Sequence, residues 1–169
     1  MVRKAAEKVK AETQEPETPS ADAHLTRFVG YDLKRLLNLV QSDLTRVLVP
    51  FNLRIISYSV LSVVVRCPGI NQTRLAEALK LERSNLVQIV DELSTRRLLT
   101  RNPIENNRRS HALLATPEGM ALIEAVDLEV IAHEEKLFSD LSPAELTMLR
   151  QLLLRARQSI ELRMVDEAD

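Results

Sequence analysis

The feature that most limits how this chain can fold is one uninterrupted stretch, residues 69–119. It opens with a short helical segment, Thr73-Arg74-Leu75-Ala76-Glu77-Ala78-Leu79. A four-residue link, Lys80-Leu81-Glu82-Arg83, leads to a second one, Ser84-Asn85-Leu86-Val87-Gln88-Ile89-Val90-Asp91-Glu92-Leu93. Two apolar runs, Leu98-Leu99-Thr100-Arg101 and His111-Ala112-Leu113-Leu114, then flank the polar tip Ile104-Glu105-Asn106-Asn107-Arg108-Arg109 and read as a charged hairpin. Helix, turn, helix and hairpin in that order define a winged helix-turn-helix. That shape offers one helix to the major groove of DNA and a basic loop to the neighbouring backbone.

Around it the periodicity is helical. Leu25, Phe28, Val29, Leu33, Leu36, Leu37 and Val40 recur at spacings of three and four, continued by Leu44, Val47 and Leu48. This predicts a first long helix over 23–49, stopped by Pro50. A winged helix does not need so long a helix for its own core, so the surplus stripe reads as half of a dimer interface. Residues 55–65 are apolar almost all round and predict a buried central helix. Pro68-Gly69 makes the turn into the next. Thr116-Pro117 predicts an N-cap and first helical residue, starting a helix to about 138 with Leu122, Ala125, Val126, Val130 and Ile131 on its stripe. Ser142-Pro143-Ala144-Glu145 repeats the device as a capping box, and the last helix carries Leu146, Leu149, Leu152, Leu153 and Ile160.

The fold class expected is therefore mainly α with a small two- to three-stranded β-wing: a winged helix-turn-helix with long N- and C-terminal dimerisation helices. The expected organisation is a disordered tail over 1–22, where Lys and Glu alternate and no apolar face exists. A helical dimerisation region follows over 23–50 and 120–169, and the DNA-binding domain occupies 51–119.

Composition removes other classes. One cysteine, Cys67, permits no intrachain disulfide framework. The opening residues are too charged for a secretory segment, and every apolar run is broken short of a membrane span. A cytoplasmic location and no membrane partner are expected. No Gly-rich phosphate loop follows a strand, and there is no nucleophile elbow and no metal-ligand cluster. The chain reads as no enzyme, with no cofactor and no metal; His24, His111 and His133 lack ligand spacing. Net charge is −1, but its distribution is uneven. Residues 66–111 hold nine Lys/Arg against five Asp/Glu, and residues 117–169 hold five against twelve. Such asymmetry steers a polyanion toward the helix-turn-helix.

The candidate DNA-binding residues follow from placement. In the second helix of the motif Leu86, Ile89, Val90 and Leu93 share one face, and Ser84, Asn85, Gln88 and Glu92 the other. This sends Ser84, Asn85 and Gln88 toward base edges or phosphates. Arg74 and Arg83 read as backbone clamps. Of Arg108 and Arg109 at the wing, one enters the minor groove and the other pairs with phosphate or fixes the hairpin. Arg101 either stabilises the wing or touches DNA.

In order and spacing these pieces resemble the MarR family of bacterial transcription regulators, over roughly residues 31–158. The resemblance is carried by Pro68-Gly69-Ile70-Asn71-Gln72-Thr73-Arg74-Leu75-Ala76, by Arg83-Ser84-Asn85-Leu86-Val87 with Val90-Asp91-Glu92-Leu93, by Arg108-Arg109-Ser110-His111-Ala112-Leu113 with Thr116-Pro117-Glu118-Gly119, and by Leu141-Ser142-Pro143-Ala144-Glu145. It implies an obligate homodimer with intertwined terminal helices, and a repressor that leaves an inverted-repeat operator when a small, often phenolic, anion binds. It also implies an effector cleft between dimer core and winged helix, where Arg54 and Tyr58, one turn apart, suit a phenolic carboxylate. The alternatives are a winged helix used for protein contacts without DNA, or an activator of the same fold. Three positions depart from the family pattern: Asn107 where an Asp anchors the wing, Gln88 where a basic residue is common, and Arg97 where a glycine closes the recognition helix. A left-handed backbone is disfavoured at Arg97, so the turn is expected to differ or Arg97 to add a phosphate contact. Cys67 lies far from the position family members use for peroxide sensing. It is expected to be a small half-buried residue.

Overall fold

The computed structural model describes residues 21–104 and 107–166, except for the side chains at 104, 107–110 and 165. The order of elements is α1 (Val29–Leu48), a 3-10 turn (Val49–Phe51), α2 (Ile55–Arg66), α3 (Gln72–Leu79), α4 (Arg83–Thr95), β1 (Leu99–Ile104), β2 (Asn107–Ala115), α5 (Pro117–Leu137) and α6 (Pro143–Asp166). The expected mainly helical winged fold is present. By backbone contacts the chain divides into two units, residues 1–38 and 39–169.

In the first unit the long helix begins at Val29, six residues later than periodicity predicts. Residues 21–27 are turns, with Leu25 N–H donating to the Asp22 carbonyl and Phe28 N–H to Leu25, both three residues back. The Asp22 carboxylate accepts from the Tyr31 hydroxyl at 2.5 Å and from Arg35 at 2.7 Å. These two side-chain bonds tie the turn at 21–27 to the first turns of α1. Of the expected tail, residues 1–20 lie outside the described residues.

In the second unit α2 is the centre. Val60, Leu61 and Val64 are fully buried, and Leu75, Leu86, Val90, Leu93, Leu113 and Val126 close the same core from the surrounding elements. Ser57 is also buried. Pro68-Gly69 forms a type II turn, with Gly69 at φ +85 and the Ile70 amide bonded to the Cys67 carbonyl at 3.1 Å. Cys67, the C-cap of α2, lies beyond the apolar run and is exposed rather than half-buried. Asn71 caps α3, its Oδ1 accepting from the Arg74 amide at 2.9 Å.

Three helical segments close in the same way. Asn52, Lys80 and Arg97 all take left-handed φ, between 52 and 58°. Each is followed by a leucine whose amide reaches back five residues: Leu53 to Leu48, Leu81 to Ala76, Leu98 to Leu93. This is the Schellman closure, which satisfies the last carbonyls and folds the following apolar side chain back onto the helix. At Arg97 the sequence argument against a left-handed backbone is overturned. The turn is held from outside: the Thr116 hydroxyl donates to the Arg97 carbonyl at 2.7 Å, and the Thr116 amide to the Leu98 carbonyl at 3.1 Å. Gly119 lies against the same carbonyl, where a Cβ would sit 2.0 Å from the Leu98 oxygen.

The C-terminal helices start as predicted. Thr116 accepts from the Gly119 amide at 3.0 Å with Pro117 next. The Ser142 amide donates to Glu145 at 2.8 Å and the Glu145 amide returns to the Ser142 hydroxyl at 3.4 Å. On α5 the buried positions are Gly119, Ile123 and Val126, whereas Ala125 and Ile131, expected on the stripe, are exposed. No residue of α6 is fully buried among those described.

Candidate nucleic-acid interface

The helix-turn-helix presents α4 as a two-faced rod. Leu86, Ile89, Val90 and Leu93 are at most 1% exposed and fix its orientation. Arg83, Ser84, Asn85 and Gln88 are exposed on its N-terminal half, as is Arg74 on α3. The predicted contacts on α4 therefore share one solvent-facing surface. Among the described residues no side-chain partner engages Ser84, Asn85 or Gln88.

The C-terminal half of α4 is occupied differently. Asp91 pairs with Arg101 of β1 at 2.5 Å, so Arg101 ties the wing to the recognition helix. Glu92 pairs with Arg54 at the start of α2. Thr95 donates to the Asp91 carbonyl at 2.9 Å. Arg96 at the C-cap donates to the carbonyls of Asn52 at 2.6 Å and Phe51 at 3.2 Å. The helix is thereby pinned at one end to the wing, to α2 and to the turn before it. Sequence reasoning missed Asp91 and Arg96 because their partners lie ten and more than forty residues away, and no local spacing marks them.

The wing is antiparallel, with Leu99 opposite Ala115 and Pro103 opposite His111. The register then breaks: Ile104 pairs with Asn107, which leaves residues 108–110 extra on β2. Pro103 has no amide to donate, and a proline at such a point permits a bulge. The backbone of Arg108 and Arg109 thus lies in the bulged segment, while their side chains, and that of Asn107, lie outside the described residues. The other edge of β2 is covered by the start of the helix-turn-helix. The Gly69 amide donates to the Leu113 carbonyl at 2.9 Å, the Leu113 amide to Ile70 at 3.0 Å, and Asn71 bridges Ala112.

The two expected effector residues face different surroundings. Arg54 lines an open groove of about 640 Å³ with Thr45, Val49, Asn52, Leu53, Ile55, Ile56 and Glu92. Tyr58 is absent from that lining. Its hydroxyl donates to Asp127 of α5 at 2.7 Å, and Arg66 holds the second oxygen of the same carboxylate at 2.5 Å. Burial, then the bond to Asp127, push the Tyr58 phenol up to about 12. Further along α5, His133 meets Asp43 at 2.6 Å. The bond from His133, with Arg46 nearby, holds the Asp43 carboxyl below its ordinary value. Among the described residues no group of three potential metal ligands occurs, and no single helix is long and apolar enough to cross a membrane.

A buried-core helix-turn-helix with an exposed polar recognition face and an attached wing is the architecture of a winged-helix transcription regulator. The comparisons make the class specific. A MarR family model matches residues 51–110. The HTH-type transcriptional regulator PecS of Dickeya dadantii (strain 3937) is 31% identical over 85% of this chain and 88% of its own length. A putative transcriptional regulatory protein for the hcr operon of Thauera aromatica is 32% identical over 58% of this chain, which spans 59% of that relative. The transcriptional repressor CouR, solved bound to a 23-mer DNA duplex, is 31% identical with a TM-score of 0.78, covering 82% of this chain and 98% of CouR. CouR from Rhodococcus jostii RHA1 has also been solved bound to p-coumaroyl-CoA. The chain belongs to the MarR family of transcriptional regulators.

Proposed function

We propose that this regulator acts as a homodimer that binds an inverted-repeat operator in double-stranded DNA, represses the adjoining genes, and leaves the operator when a small organic anion binds. The observation that carries the reading is the N-terminal half of α4, where Arg83, Ser84, Asn85 and Gln88 stand in solvent above a fully buried apolar face. Residues 51–119 form the DNA-binding part. Ser84, Asn85 and Gln88 meet bases or phosphates. Arg74 and Arg83 clamp the backbone, and Arg108 and Arg109 reach the adjoining groove from the wing.

Residues 23–50 and 120–169 supply the dimer. Support comes from the apolar side chains that α1 and α6 leave exposed: Leu33 and Leu37 on α1, Leu152, Leu153 and Ile160 on α6. Two recognition helices related by a dyad then meet half-sites about 34 Å apart. The groove beside Arg54 suits an anion with an apolar body, and its Glu92 wall belongs to the recognition helix. A ligand that binds best when this wall has shifted releases DNA by moving the population to that state. CouR, with its duplex-bound and acyl-CoA-bound structures, supports both halves of the reading.

Selection of genomic fragments by the purified protein in moderate salt tests it. The expected result is a few sites sharing an inverted repeat, bound less well by Arg108→Ala and Arg109→Ala variants that remain dimers. Recovery of no fragment above background, with and without candidate anions, refutes it.

A further inference from the structure

The side chains free on α4 form a short inventory, and the major-groove code converts it into a prediction about the DNA. Guanine is read by the fork of an arginine or by lysine, cytosine by a carboxylate, adenine by the paired donor and acceptor of Asn or Gln, and thymine by apolar contact with its methyl group. The one basic residue of α4 is Arg83, at its first position, where the chain enters the helix and a phosphate contact is the natural use. Both carboxylates are engaged, Asp91 by Arg101 and Glu92 by Arg54. Thr95 is satisfied by its own helix. Ser94 buries its hydroxyl and offers nothing to a ligand. What remains on the exposed surface is Ser84, the amides of Asn85 and Gln88, and one apolar side chain, Val87.

Val87 is the exception among the apolar residues of this helix. Leu86, Ile89, Val90 and Leu93 are at most 1% exposed, whereas Val87 is 37% exposed, one turn beyond Ser84 and adjacent to Gln88. A β-branched residue has a stiff χ1, so its methyls are held in place on this surface. Resting on the DNA-binding reading above, we propose that α4 reads A·T base pairs. Gln88 recognises an adenine through its N6 and N7, and Val87 packs on the methyl group of a thymine in the same half-site.

The test uses the full-length protein and duplexes carrying the selected operator. Each thymine of a half-site is replaced in turn by deoxyuridine, which removes only the methyl group. Each adenine is replaced in turn by 7-deaza-2′-deoxyadenosine, which removes only the N7 acceptor. Affinity is measured by fluorescence anisotropy at one fixed salt concentration. One deoxyuridine is expected to weaken the parent roughly fourfold, the effect of one buried methyl-sized group. Val87→Ala should bind the thymine and deoxyuridine duplexes equally. One 7-deaza position is expected to weaken the parent about fivefold or more, and Gln88→Ala should be blind to it. Thermal melting of both variants checks that they remain folded, as expected for exposed positions. The inference is overturned if every thymine methyl of the half-site is dispensable, if the sensitivity persists in the two variants, or if the half-sites contain only G·C pairs where protection shows α4 to lie. Absence of any DNA binding is a different result, because it removes the functional reading itself and this inference with it.

Discussion

The leucines of the winged-helix segment and those of the last helix sit in opposite environments. Leu61, Leu75, Leu86, Leu93, Leu99 and Leu113 are at most 1% exposed, around a centre supplied by α2. Leu152, Leu153 and Leu154 of α6 are each more than 40% exposed, and α1 likewise leaves Leu33, Leu36 and Leu37 in solvent. The residue type is the same, so the difference lies in what surrounds it. The winged helix closes a core within one chain, and the long helices carry apolar surface that one chain does not cover. An exposed stripe of this extent is the mark of an association surface.

The largest effect should appear where a second copy is proposed to cover that stripe. Leu152→Ser combined with Leu153→Ser removes two apolar contacts from each protomer, about 2 kcal/mol apiece. Sedimentation equilibrium should show monomers where the parent is a dimer, with hydrogen exchange in α2 and α4 unchanged. A persistent dimer would move the interface elsewhere.

The next effect falls inside the winged helix and should leave association untouched at low temperature. Gly119→Ala places a methyl group on the Leu98 carbonyl, a backbone atom that cannot swing aside. A loss of about 3 kcal/mol is expected by urea unfolding. Gly30→Ala is the control: nothing lies within 4 Å of its Cβ position, and helix propensity predicts a gain of up to about 1 kcal/mol. Equal outcomes for the two glycines would contradict the close approach.

Tyr58 gives the comparison a pH axis. An unfolded chain ionises tyrosine near pH 10, whereas folding holds this phenol neutral up to about 12. Its contribution to stability is complete below pH 10 and is lost as the pH rises from 10 to 12. Tyr58→Phe should therefore show a flatter decline of the urea midpoint across that window than the parent. Parallel declines would show that the phenol is not linked to folding.

The smallest effect tests the strained closures. Arg97→Gly relieves a left-handed residue at φ 58° and should raise stability by about 0.5–1 kcal/mol. A loss instead would mean that the Arg97 side chain stabilises the turn by more than the strain costs.

Much of this was legible in the sequence because the signals are local. The caps Thr116 and Ser142, the Pro68-Gly69 turn and the buried face of α4 depend on neighbours three or four residues away. The late start of α1 was not legible, because the Asp22 carboxylate that draws in Tyr31 and Arg35 acts across nine and thirteen residues. Arg97 misled for the opposite reason. Its propensity disfavours the left-handed region, but Thr116 and Gly119, brought in by β2 and α5, hold the turn closed. The ion pairs that fix α4 join residues distant in sequence, so its exposed polar face was visible while the pins that orient it were not. Arg54 and Tyr58, adjacent on a helical wheel, take different partners because Glu92 and Asp127 lie on different elements.

The most direct test of the central claim is a hydroxyl-radical footprint on a selected operator, read together with the protein-to-duplex stoichiometry. The account predicts two protected patches related by a dyad, their centres about 34 Å apart, with two chains bound per duplex. A single patch with one chain per duplex would contradict it.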